Sequence, residues 1–231
     1  MAEYIQSILM TKWLKNFQRK EGVPSTIFMA GAPGAGKTEF ILSVIDREKY
    51  IIIDLDHYRT LFEGYTGANA SDFQRSSTRV ANKMYKFCMK HNLNVVMDGT
   101  LSSVSLARQN LAQCITNKRD VSIVLVYQDP VISYLYTKLR EFDNTRNVPD
   151  EAFIEKYFKS VQNAFEIVGE FSFINFLIAH KHSNGDIVPY EDMRDREKFD
   201  KIVKFNYNSG ELLVRLKDLD ITKHIQTLHK T

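Results

Sequence analysis

The sequence predicts an α/β fold: a doubly wound, mainly parallel five-stranded sheet with helices on both faces, a small edge hairpin and helical termini. Two observations carry this expectation. Short apolar runs alternate with longer stretches of helical period, and the first of these runs leads through a glycine-rich loop directly into a helix. The 231 residues, 44% hydrophobic and 26% charged, are enough for one large α/β core that needs no staples.

The chain divides into residues 1–22, an α/β core over 23–190, and a charged, mainly helical extension over 191–231. In the first part Ile5, Ile8, Leu9, Trp13 and Phe17 recur at helical spacing among Lys12, Lys15, Arg19 and Lys20, which predicts an amphipathic helix docked on the core. No continuous apolar run marks a leader or a spanning helix, so no membrane is implied. Gly22 and Pro24 break the helix. Five mostly apolar runs then read as strands covered on both faces: Ser25 to Ala30, Tyr50 to Ile53, Leu93 to Met97, Val121 to Tyr127 and Phe173 to Ala179. Between them Lys37 to Glu48, Ser71 to His91, Ser105 to Asn117 and Val131 to Glu141 carry helical spacing, and Asp150 and Glu151 suit the first turn of a helix reaching about Val168. Ser183 to Asp186 reads as a hairpin turn into an edge strand at Ile187 to Tyr190, and Leu212, Leu213, Leu216 and Leu219 hint at a last helix.

Composition narrows the function classes. The formal net charge is +3 and the basic residues are dispersed, which argues against a nucleic-acid partner, since backbone binding needs clustered cations. Cys88 and Cys114 lack metal or redox spacing and suit a reducing, cytoplasmic setting.

Gly31-Ala32-Pro33-Gly34-Ala35-Gly36-Lys37-Thr38 fits G-x-x-x-x-G-K-[ST] at every fixed position and stands between a strand and a helix. Glycines let the backbone curl so that successive N–H groups face phosphate oxygens, and the helix dipole adds to the attraction. The expectation is a P-loop NTPase fold that binds ATP, with Lys37 on the terminal phosphates and the Thr38 hydroxyl on Mg²⁺. Asn117 to Asp120 matches the N-K-x-D pattern that reads guanine, but it follows a helix where that motif follows a strand, and no Asp has Gly three residues later. It reads as a polar loop.

In an open parallel sheet, ligands sit beyond the carboxyl ends of the strands. The second strand runs into Asp54-Leu55-Asp56-His57-Tyr58-Arg59 and the third into Asp98-Gly99-Thr100. A hydroxyl kinase needs a carboxylate to take the proton or orient the alcohol. Asp56 is the candidate base, with a helix N-cap as the plainer reading. Asp54, on the same side of an extended segment, is placed near Mg²⁺. Asp98 is a candidate for substrate or Mg²⁺ support, or a turn residue before Gly99. His57 reads as a solvated or packed side chain. Arg140 and Arg146, six positions apart in Leu139 to Pro149, fit a cationic lid over the nucleotide, because a guanidinium binds phosphate oxygens bidentately and stays charged.

Taken together these pieces resemble the zeta toxin family, kinases of bacterial toxin-antitoxin systems. The matching residues are Ala30 to Thr38, the D-x-D after the second strand, Asp98-Gly99-Thr100, Ser133-Tyr134-Leu135 leading to Arg140, then Arg146 with Pro149, and the Phe171-Ser172 strand with its Gly185 hairpin. The resemblance covers roughly residues 23 to 190. It implies Mg²⁺-ATP as donor and a sugar hydroxyl of UDP-N-acetylglucosamine as acceptor. It further implies Asp56 as base, Lys37, Arg140 and Arg146 as phosphate ligands, Asp98 and Thr100 in the acceptor site, and a small antitoxin protein that blocks the nucleotide site. The family usually has Glu where this chain has Asp98. Two alternatives stand beside this reading: another P-loop hydroxyl kinase acting on a polynucleotide 5'-hydroxyl, an antibiotic or a nicotinamide nucleotide, or an ATP-gated binding module that transfers nothing.

Overall fold

The computed structural model describes residues 22–144, 146–183, 185–191 and 193–221. Its first half runs β1 (Ser25–Ala30), α1 (Lys37–Val44), β2 (Ile51–Asp54), α2 (Leu55–Thr60), α3 (Gln74–Lys90), β3 (Val95–Asp98) and α4 (Val104–Thr116). The second half runs β4 (Asp120–Tyr127), α5 (Pro130–Asn144), α6 (Asp150–Glu170), β5 (Asn175–Lys181), β6 (Ile187–Glu191), α7 (Arg196–Ile202) and α8 (Ser209–Lys217). The expected amphipathic helix at residues 1–22 lies outside the described residues but for Gly22.

One sheet has the order β2-β3-β1-β4-β5-β6, parallel except for β6, which pairs antiparallel with β5. The α/β architecture and mainly parallel sheet expected from the alternating pattern are therefore present. β1 is central, flanked by β3 and β4, and successive crossovers leave it in opposite directions, so the crevice for ligands opens at its carboxyl end. The central strands are apolar because both faces are covered: Val95 and Val96 of β3, Ala30 of β1 and Leu125 of β4 are fully buried. On α3 the residues Ser77, Val80, Ala81, Met84, Tyr85, Cys88 and Met89 form the buried stripe that a helical period produces.

Boundaries moved where side-chain chemistry outweighs hydropathy. β2 and β3 each extend to an aspartate, and these two residues are register partners, Asp54 with Asp98. β5 starts two residues later than its apolar run, because Phe171 and Phe173 pack edge to face in the turn before it. The helix expected to reach Glu48 ends at Val44, and α5 runs on to Asn144, which puts Arg140 on a helix instead of in a loop. The Asn117 to Asp120 stretch is also corrected. Asp120 opens β4, and Arg119 is buried, donating to Thr26 Oγ1 at 2.6 Å, Ser25 O at 2.7 Å and Leu93 O at 2.6 Å. A guanidinium with several donors can join three strand ends that no aliphatic side chain could satisfy.

After β6 the chain packs back on the core. Phe199 of α7 is buried against Phe165 and Phe176, and Leu212 and Leu216 of α8 are buried. The Tyr127 hydroxyl donates to Lys204 O at 2.7 Å and accepts from Lys204 N at 3.1 Å, fastening this segment to the end of β4.

Candidate active site

The glycine-rich loop lies between β1 and α1, and two of its glycines are obligatory on steric grounds. Gly31 has φ +137° and a Cβ there would lie 2.4 Å from Val126 O; Gly34 has φ +73° and a Cβ would lie 2.1 Å from Ser133 O. The loop is thus pressed against β4 and α5. Gly36 caps α1 with φ 97°. Lys37 arches back across its own loop, donating from Nζ to Gly31 O at 3.0 Å and Ala32 O at 2.7 Å. Burial lowers the Lys37 pKa to about 8, with the Asp98 carboxylate opposing that shift.

The exits of β2 and β3 face this loop. Asp54 ends β2 and caps α2, its side chain accepting the Asp56 N–H at 2.8 Å. The chain turns there, which corrects two expectations: Asp54, not Asp56, is the N-cap, and the two aspartates do not share one face of an extended strand. Burial raises the pKa of Asp54, with Asp56 adding repulsion. Burial likewise pushes Asp98 up to about 6, against the pull of Lys37 and with repulsion from Asp54 and Asp56. The Thr100 carbonyl accepts from Gly31 N at 3.4 Å, and its hydroxyl lies 2.9 Å from Ser102 Oγ, linking the exit of β3 to the loop.

Asp56, in the first turn of α2, is held by two arginines. Arg59 NH1 donates to Asp56 Oδ1 at 2.5 Å, and Arg146 NH1 pairs with Asp56 Oδ2. Arg140 reaches the first turn of α1, donating to Glu39 Oε1 at 3.0 Å. His57 is exposed, its ring 6.3 Å from that of Tyr58.

These groups surround one cavity of about 530 Å³. Pro33, Gly34, Gly36, Lys37 and Thr38 line it from the loop, Asp54, Asp56, Asp98 and Thr100 from the strand ends, and Arg140 and Arg146 from beyond β4. Gly31, Ala32 and Ala35 are buried behind it. The volume and the mixture of backbone amides, carboxylates and cations can hold a triphosphate beside a second polar ligand.

Sequence reasoning missed Arg59, Gln74 and Lys156, which line the same cavity. Arg59 was visible as the residue one helical turn after Asp56, a spacing that brings opposite charges together. Gln74, which accepts from Arg59, and Lys156 on α6 are brought in by tertiary packing with no local signal.

Residues 10–194 match the profile of the family described as Zeta toxin. Among curated proteins, none matches the sequence. A solved structure of the PezAT chromosomal toxin-antitoxin system of Streptococcus pneumoniae is similar in fold, with TM-score 0.72 and 16% identity, over 97% of this chain and 96% of that one. AvrRxo1-ORF1:-ORF2 with ATP is similar at TM-score 0.70 and 13% identity, over 90% of this chain and 74% of that one. The same complex with sulphate ions gives 0.69 and 12%, over 87% and 71%. The family profile spans most of the chain, from before the glycine-rich loop to beyond the edge hairpin, and this chain therefore belongs to the zeta toxin family of ATP-binding P-loop kinases, which are phosphotransferases.

Proposed function

We propose that the chain transfers the γ-phosphoryl group of Mg²⁺-ATP to a sugar hydroxyl of UDP-N-acetylglucosamine. The observation that carries this reading is the Asp56 carboxylate, which lines the same cavity as Lys37 and Thr38 of the phosphate loop. A module that only bound ATP would need no carboxylate there. In the proposed reaction Asp56 accepts the proton of the attacking hydroxyl, or orients it, while its oxygen attacks the γ-phosphorus and ADP leaves. Backbone amides of Gly31 to Thr38 hold the donor, with Lys37, Arg140 and Arg146 on phosphate oxygens, and Asp98 and Thr100 orient the acceptor.

The residues present fit Mg²⁺. The ion takes one or two protein ligands and keeps several waters, and here a threonine hydroxyl shares the cavity with partly buried carboxylates whose charge burial disfavours. Thr38 would hold it directly and Asp54 through its waters, and the bound ion would neutralise charge on the transferring phosphoryl group. No helix among the described residues is long and apolar enough to cross a membrane. A small antitoxin protein covering the nucleotide site completes the proposal, supported by membership of this family.

The test is incubation of the purified chain with Mg²⁺-ATP and a panel of UDP-sugars, nucleotides, aminoglycosides and short 5'-hydroxyl oligonucleotides. The reading predicts a phosphorylated UDP-N-acetylglucosamine by mass spectrometry. Labelling of another member of the panel alone would replace the acceptor, and ATP binding with no labelled acceptor would favour the binding module.

A further inference from the structure

Three non-glycine residues among those described have positive φ: Asn92, Leu101 and Lys118, at 52°, 56° and 49°. Asn92 and Lys118 each stand just past the end of a helix, α3 and α4, where a left-handed residue commonly closes the last turn. Leu101 ends no helix. It follows β3 at the carboxyl end of the sheet, and a leucine at positive φ crowds its Cβ against the next carbonyl oxygen. Such strain persists only where the surroundings hold it, and it gathers at functional sites.

Two contacts hold Leu101. Its half-buried side chain packs on the core, and its carbonyl accepts a hydrogen bond from Asn163 Nδ2 at 2.9 Å. Asn163 lies on the inward face of α6 with Ser160, Ala164 and Ile167, and is 9% exposed. An apolar side chain would fill that position as well, whereas a buried amide loses hydration that only a hydrogen bond offsets.

The turn shapes one wall of the cavity. Thr100 and Ser102, on either side of Leu101, both line it, while the Leu101 side chain goes to the core. Residues two apart in an extended strand are separated by about 6.6 Å, yet the hydroxyl oxygens of Thr100 and Ser102 lie 2.9 Å apart. Each hydroxyl thereby limits the rotation of the other. A Leu101 relaxed to negative φ would swing both away from their present places beside Asp98.

We infer that Asn163 is a positioning residue for the acceptor: its side-chain amide holds Leu101 in the left-handed conformation, and that turn fixes the Thr100 and Ser102 hydroxyls at the cavity wall. The inference rests on the proposed kinase reading, which gives Thr100 to the acceptor. Asn163 itself touches no ligand and acts through the backbone of Leu101.

The test compares wild type with Asn163→Leu, Leu101→Gly and the double variant, with UDP-N-acetylglucosamine or whichever member of the acceptor panel wild type phosphorylates. Asn163→Leu keeps the size of the side chain and removes the donor. We expect its kcat/KM for the acceptor to fall about 10- to 100-fold, because a displaced orienting group misaligns the reacting hydroxyl. Calorimetric affinity for a non-hydrolysable ATP analogue should stay unchanged. Glycine adopts positive φ without penalty, so in the presence of Leu101→Gly the same Asn163→Leu change should cost less than about threefold. An acceptor kcat/KM that does not move in Asn163→Leu overturns the inference, whatever happens to the melting temperature, and so does an equal loss with and without Leu101→Gly. Crystal structures of wild type and Asn163→Leu give a readout that needs no turnover. Leu101 should return to negative φ in the variant with the Thr100 and Ser102 hydroxyls apart, and a Leu101 that keeps its positive φ there overturns the inference. A wild-type chain that phosphorylates no member of the panel removes the kinase reading instead, and the change of φ in the variant then still supports Asn163 as the residue that shapes this wall.

Discussion

Asp56 and Arg146 are ion-paired although ninety residues separate them, and the pair closes α2 at the exit of β2 against the segment that leads into α6. Arg59 completes the cluster from within α2, with its side chain only 7% exposed against 48% for Asp56. The candidate base is thus held from a buried side and an open side at once. An incoming phosphate reaches Arg146 more readily than Arg59, because the Arg146 side chain is 29% exposed and that of Arg59 only 7%.

Replacing Asp56 by Asn removes the proton acceptor and keeps the shape of the side chain. We expect kcat to fall by about 10²- to 10⁴-fold with the circular-dichroism spectrum and melting temperature close to wild type. Unchanged turnover would sink the base assignment.

Arg140 and Glu39 form an ion pair in which both side chains are about half exposed. Such pairs contribute at most about 1 kcal/mol to stability. Arg140→Ala should therefore leave denaturation midpoints unchanged while lowering kcat by roughly 10³-fold if this guanidinium steadies the transferring phosphoryl group. A loss of stability with intact turnover would make it a structural residue.

Gly34→Ala should cost about 2 kcal/mol or more in urea denaturation and weaken ATP binding, since the new methyl meets Ser133 O at 2.1 Å in a left-handed backbone. Gly169→Ala, where nothing lies within 4 Å, is the control and should stabilise α6 by about 0.5–1 kcal/mol.

The pH dependence of the ligand-free chain follows from two buried charges of opposite sign. Asp98 binds its proton more tightly in the folded state, with its pKa raised from 3.8 to about 6, so stability is lost as pH rises through that interval. Asp98→Asn should match wild type near pH 4 and be more stable by on the order of 2–3 kcal/mol above pH 6. Lys37, lowered from 10.5 to about 8, disfavours folding while charged, a cost relieved as pH climbs from 8 towards 10.5. Lys37→Met should be more stable than wild type at neutral pH, the gap narrowing in alkaline buffer, while nucleotide binding is lost. Melting temperatures between pH 4 and pH 10 check both signs.

Arg119 joins the starts of β1 and β4 to the chain before β3 through three hydrogen bonds, and its charge has no carboxylate partner among those bonds. Arg119→Ala removes these three hydrogen bonds, one of them to the fully buried Thr26 hydroxyl, and should cost about 3 kcal/mol in urea denaturation. ATP affinity measured below the unfolding transition should stay the same, because the phosphate loop lies at the opposite end of β1.

The amino-acid sequence by itself determined the alternating architecture, the phosphate loop and the aspartates at the exits of β2 and β3, because each rests on short-range rules: two-sided burial of a strand, glycine at positive φ, and a carboxylate at the carboxyl end of a strand. It did not disclose that Asp54 and Asp98 are neighbours in register, that Asp54 caps α2, that Arg119 is buried, or that Gln74 and Lys156 reach the cavity. Those relationships depend on which strands lie side by side and which face of α6 turns inward. Long-range packing decides both, and it brings charges together from positions whose local pattern is that of any helix or loop.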